Sequence, residues 1–171
     1  MVKELFYLAR LLFKSNPRKK NEVTLIGLTH FPFKGYKYLM WCGYMIYRKE
    51  NEHKIAKEML TKQFDISKNH ETIHLMQAKA CGSWARYYWK YFIEWVKGGI
   101  IMAPVSSAYY TNPFEMEAYA NEDNFEYPEG MIIYEDNYSS GSFGKYIIKN
   151  GRKELYKEIG KENWKEYIKT L

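Results

Sequence analysis

The run His70-Glu71-Thr72-Ile73-His74 constrains this chain more than any other stretch. Two histidines four residues apart meet on one face only if the segment is an α-helix, where their Cβ atoms stand about 5–6 Å apart. Two imidazole nitrogens converged in that way can hold one zinc ion at about 2.0–2.1 Å each. Glu71 then lies beside the metal's open position, where it can take a proton from water. The flanking pattern predicts this helix over 67–81, with Ser67 as its cap and Gly82 as its terminator. The alternative is a surface helix carrying two solvated histidines.

A zinc site of this kind needs a third protein ligand. Asn112-Pro113 reads as the start of another helix that runs to about Phe125, with Asn112 as cap and Pro113 in the first helical position. This helix brings two carboxylates, Glu115 and Glu117. Residues two apart on a helix point about 200° apart, so only one can face a given metal. Glu115 is the first choice and Glu117 the second. Glu115 also fits a capping box with Asn112, and that reading stays open.

HExxH followed by Phe114-Glu115-Met116-Glu117-Ala118-Tyr119-Ala120-Asn121-Glu122 resembles the gluzincin zinc metallopeptidases, in particular small bacterial zincin-like members. Gln77 extends the likeness to HExxHxxQ, and the resemblance covers about 66–81 and 112–123. It implies that His70, His74 and Glu115 hold Zn2+ and that Glu71 is the general base. It also implies a single α+β zincin-like domain that hydrolyses peptide bonds in peptide or protein substrates. The chain departs from the pattern at Tyr119, where many members carry an Asp that hydrogen-bonds a histidine ligand. A phenol holds an imidazole less strongly than a carboxylate does. None of the 17 tyrosines stands out as an oxyanion donor. The competing class is therefore a catalytically silent zincin-like domain, acting as a structural or protein-interaction module.

The rest of the chain supplies a frame. With 46% apolar and 18% aromatic residues among 171, it can bury a core and is not a disordered chain. Only two cysteines, Cys42 and Cys81, are present, which excludes a disulfide scaffold. An amphipathic helix is expected over 2–14, docking Leu5, Leu8, Leu12 and Phe13 on the core, with a membrane-surface helix as the alternative. Paired strands are expected at 22–28 and 38–48, and the segment 50–63 is ambiguous between helix and loop. An aromatic helix follows over 83–97, then an apolar connection over 100–110. The catalytic core spans about 22–125, a loop-rich stretch 127–144, and a last helix about 152–169 that turns Leu155, Ile159, Trp164 and Ile168 inward.

Trp84, Tyr88, Tyr91 and Trp95 recur at helical spacing, which suits a core stripe or a surface for a protein partner. His30 and His53 read as solvated or core-satisfied, and Cys81 as a buried thiol. The net charge of +6 comes from Lys and Arg scattered among Glu, so no specific nucleic-acid partner is expected. No apolar run approaches the roughly 20 residues of a membrane span. Glu4 and Arg10 interrupt any leader-like stretch, and the expected compartment is the cytoplasm.

Overall fold

A computed structural model describes residues 1–98, 107–131, 145–146 and 151–171. The described chain is mixed α+β and mostly helical, with a small three-stranded sheet. No helix among the described residues is long and apolar enough to cross a membrane.

Strand β1 (Thr24–Leu28) lies parallel to β3 (Tyr44–Arg48), and β2 (Leu39–Trp41) lies antiparallel on the other side of β3. The stretch expected as one strand over 38–48 is thus a hairpin. Its reversal falls at Cys42-Gly43, both with positive φ, 53° and 80°. A two-residue turn with both φ angles positive matches the right-handed twist of the flanking strands. Glycine takes such an angle without strain, whereas a cysteine there gives no sequence warning. Among the described residues β2 is one edge of the sheet and β1 the other.

Helix α1 (Val2–Lys14) lies where the periodicity places it, and of the residues expected inward Leu8 and Leu12 are, whereas Leu5 and Phe13 are exposed. Leu8 is buried with Phe31 and Ile46, and Leu11 packs on both them and the main core. Trp41 Nε1 donates to Leu8 O at 2.8 Å. Glu4 accepts from the backbone N–H groups of Thr29 and His30 at 2.7 and 3.0 Å. Phe13, expected in the core, is 85% exposed. It stands five residues from Leu8, about 140° round the helix.

The ambiguous segment resolves into a 3-10 turn (Lys49–Asn51) and helix α2 (Glu52–Glu58). The long helix α3 (Lys62–Ala80) starts earlier than expected. Thr61 caps it by accepting from Phe64 N at 3.4 Å, while Ser67 sits inside it and donates to Gln63 O. Helix α4 (Trp84–Lys97) starts at Ser83, whose hydroxyl accepts from Arg86 N. Trp84, Tyr87 and Phe114 join Met45, Leu75 and Cys81 in the main core, with Tyr88 and Tyr91 packed against it. The aromatic stripe therefore faces mainly inward, and the exposed aromatics of α4 are Trp89 and Phe92.

Beyond the undescribed 99–106, the end of the expected apolar connection is a short helix, α5 (Ser107–Tyr110). Helix α6 (Pro113–Asn121) follows and ends sooner than Phe125. Of the stretch expected to be loop-rich, Tyr127–Gly130 forms the short helix α7, and 132–144 lie outside the described residues. Helix α8 (Arg152–Lys169) has the expected bounds but is broken at Gly160. Its Trp164 and Ile168 pack on Met116 and Tyr110, and Trp164 Nε1 donates to Tyr110 O at 2.8 Å.

Candidate metal centre

Helices α3 and α6 carry the site, and polar side chains fix their relation. Asn69, one residue before His70, donates to the carbonyls of Asn121, Glu122 and Asn124. It thereby satisfies carbonyls that a helix end leaves without partners. At the other end of α6, Asn112 Oδ1 accepts from Phe114 N and its Nδ2 donates to Tyr91 O on α4. The backbone N–H of Asn112 donates to Tyr109 O, so Glu115 does not close a capping box. Glu115 points instead at the two histidines.

His70, His74 and Glu115 are all buried, and each offers one ligand atom within 4.8 Å of the others. The His70 and His74 Nε2 atoms stand 3.2 Å apart. His70 Nε2 lies 3.4 Å from Glu115 Oε2, and His74 Nε2 lies 3.4 Å from Glu115 Oε1. Donors held about 2.0–2.1 Å from a tetrahedral ion are separated by about 3.3–3.4 Å, a spacing close to that of the imidazole pair, while each imidazole meets a different oxygen of the Glu115 carboxylate.

The hydrogen bonds outside the triad decide which ring nitrogens are free. Gln77 Nε2 donates to Phe114 O at 3.0 Å and to Glu117 Oε2 at 2.9 Å. That orients its amide, so Gln77 Oε1 accepts from His74 Nδ1 at 2.7 Å. His70 Nδ1 donates to Glu122 Oε2 at 3.0 Å. Both Nδ1 atoms carry protons in this arrangement, and both Nε2 lone pairs face each other and a carboxylate. Glu115 Oε2 is buried without a hydrogen-bond donor among the described residues, while Oε1 accepts from Tyr91 at 2.8 Å. Three acceptors converge where only positive charge reconciles them. A divalent cation fits that space.

Protons answer the same demand when no metal is bound. Burial works against a charged imidazole, but the carboxylates of Glu115 and Glu122 outweigh it and push His70 up to about 10. His74 rises for the same reason, with Glu115 as the main opposing charge. Burial alone would raise Glu115, yet the two imidazoles hold it well below the usual carboxylate range. Glu71 is raised by burial, with the histidines pulling the other way. A carboxylate shifted upward is a stronger base than an ordinary one.

Glu71 and His70 line a cleft of about 540 Å³ together with Tyr36, Tyr109, Tyr119 and Glu122. An inner cavity of about 180 Å³ continues past His74 and Glu115 and is bordered by Leu39, Met40 and Trp41 of β2. Tyr36, Tyr38 and Tyr109 line both spaces.

Two members of this arrangement escape a reading of the motifs. Glu122 supplies the carboxylate that the motif comparison finds missing at 119. Tyr119 instead sets its ring edge-on to His70, 4.6 Å between centroids, and lies under Lys165 Nζ at 4.2 Å. Glu122 lies seven residues after Glu115, two turns along the same helical face, and that spacing was the available signal. The second is Tyr91, which nothing distinguishes from the other tyrosines in the sequence. Glu117 is fully buried but turned away, accepting from Gln77 and from Tyr127 Oη at 2.8 Å. Cys81 is buried, and burial pushes its thiol up to about 11. His30 lies against Glu4, and His53 is exposed. None of these four joins the triad.

No protein-family model, no curated protein and no solved structure matches this chain.

Proposed function

We propose that the protein is a zinc-dependent peptidase on a zincin-like domain, of the gluzincin type that the motifs resemble. His70, His74 and Glu115 are its metal ligands, and Glu71 is its general base. The observation that carries this reading is the convergence of two imidazole lone pairs on a buried carboxylate, with Glu71 beside them in a cleft. Two imidazoles and one carboxylate are a donor set that suits zinc.

Bound zinc supplies two things: it acidifies a water and polarises a carbonyl oxygen. Glu71 takes the proton released by the water and passes it to the leaving amine nitrogen. Burial raises its pKa above the ordinary carboxylate value, which makes it a better proton acceptor. The His70–Glu122 and His74–Gln77 hydrogen bonds keep both ring nitrogens aimed at the metal. The strand β2, an edge among the described residues, borders the inner cavity, where its backbone could pair with an extended peptide. Cys42 and Cys81 are buried free thiols, which supports a reducing compartment such as the cytoplasm.

Cleavage of denatured proteins by zinc-loaded wild type and Glu71→Gln tests the reading. Wild type cleaves, and Glu71→Gln keeps its zinc but is at least about 100-fold slower. Zinc in both with cleavage in neither leaves the silent interaction module as the better description.

A further inference from the structure

Helix α1 has a second apolar face that no described residue buries. Val2, Phe6, Ala9 and Phe13 recur at spacings of four, three and four and form one stripe. The stripe points away from the core. Val2 is 61% exposed, Phe6 74% and Phe13 85%, while the opposite side buries Leu8. Lys3, Arg10 and Lys14, all exposed, form a parallel stripe about 100° further round the helix. The one acid in α1, Glu4, is turned inward to the backbone of Thr29 and His30. The turn that follows adds Arg18 and Lys19, both exposed. An exposed apolar stripe beside an exposed basic one, with no exposed acid among them, is the layout of a helix that lies in a membrane interface.

We propose that the outward face of α1 docks this protein on an anionic lipid surface, with Val2, Phe6 and Phe13 in the acyl boundary and Lys3, Arg10 and Lys14 at the headgroups. Charge selects lipid over a second copy of the chain. Symmetric pairing through this face would oppose two rows of Lys and Arg on a protein whose net charge is already +6. Anionic headgroups complement the same row. The docking does not depend on the metal centre, because none of the site residues lies on α1.

Co-sedimentation with phosphatidylcholine vesicles, with and without phosphatidylglycerol, tests the proposal on the full chain. Wild type partitions at least about tenfold more strongly onto the anionic vesicles, and added salt weakens it. Phe6→Ser with Phe13→Ser, and separately Lys3→Glu with Arg10→Glu, each weaken partition by about tenfold or more. Far-UV circular dichroism and the thermal midpoint stay as in wild type, since these side chains are exposed. Partition that is absent, or equal on both vesicle types, overturns the proposal. Sedimentation velocity supplies the other contradiction: self-association that the two Phe substitutions abolish, without vesicle binding, assigns the face to a second copy.

Discussion

His70 Nδ1 donates to Glu122 Oε2 across 3.0 Å, joining the middle of α3 to the residue that closes α6. The other Glu122 oxygen lies 3.6 Å from Lys165 Nζ on α8, so a third helix steadies the carboxylate. A histidine held through Nδ1 keeps its tautomer and its aim, and a charged acceptor makes the ring a better ligand.

Glu122→Ala therefore weakens zinc binding by about 10–100-fold while the helices remain formed. Glu122→Gln retains an acceptor without the charge and falls between the two. Competition against a chromophoric chelator measures both, and an affinity equal to wild type in Glu122→Ala would show that His70 needs no such partner.

Gln77 has a different task. It bonds His74, the Phe114 carbonyl and Glu117 from a fully buried position. Gln77→Leu removes a donor from a buried carboxylate and an acceptor from a buried N–H. Unsatisfied groups of this kind cost about 1–3 kcal/mol each, so urea unfolding of the metal-free variant shows a loss of about 2–6 kcal/mol. Gln77→Glu restores the acceptor to His74 but sets a carboxylate against Glu117, and it does not restore stability.

The metal-free protein carries its own pH signature. His70 is raised from 6.5 to about 10 in the folded state, because the carboxylates of Glu115 and Glu122 outweigh burial. A raised base stabilises the fold fully below its unfolded pKa and loses that contribution as pH rises toward its folded one. Urea midpoints of the metal-free protein thus fall between pH 6.5 and about 10. With zinc in place of the protons, as proposed, the zinc-loaded protein is expected to stay flat across the same window. Equal slopes with and without metal would separate the triad from metal binding.

Parts of this arrangement are legible in the sequence for a simple reason. His70 and His74 are four apart on a helix, and a helix fixes their relation locally. Asn112-Pro113 likewise marks where α6 begins. What was not legible depends on contacts between distant segments. Thr61 rather than Ser67 starts α3, because the extra turn buries Phe64 in the main core. The hairpin at Cys42-Gly43 rests on a positive φ at a cysteine, with Tyr88 Oη receiving the Cys42 N–H at 2.9 Å. Both faces of α1 carry apolar residues, so periodicity picks out Leu8 and Leu12 for the core but does not say that Leu11 also goes inward while Leu5 and Phe13 stay exposed. Glu122 lies past the last turn of α6, and Asn69 brings it to His70.

Metal analysis of the purified protein tests the central claim most directly. Wild type and Glu71→Gln each bind one zinc per chain after loading and desalting, whereas His74→Ala and Glu115→Ala do not retain it. A folded wild type that keeps no metal, or a His74→Ala protein that keeps as much as wild type, would contradict the account.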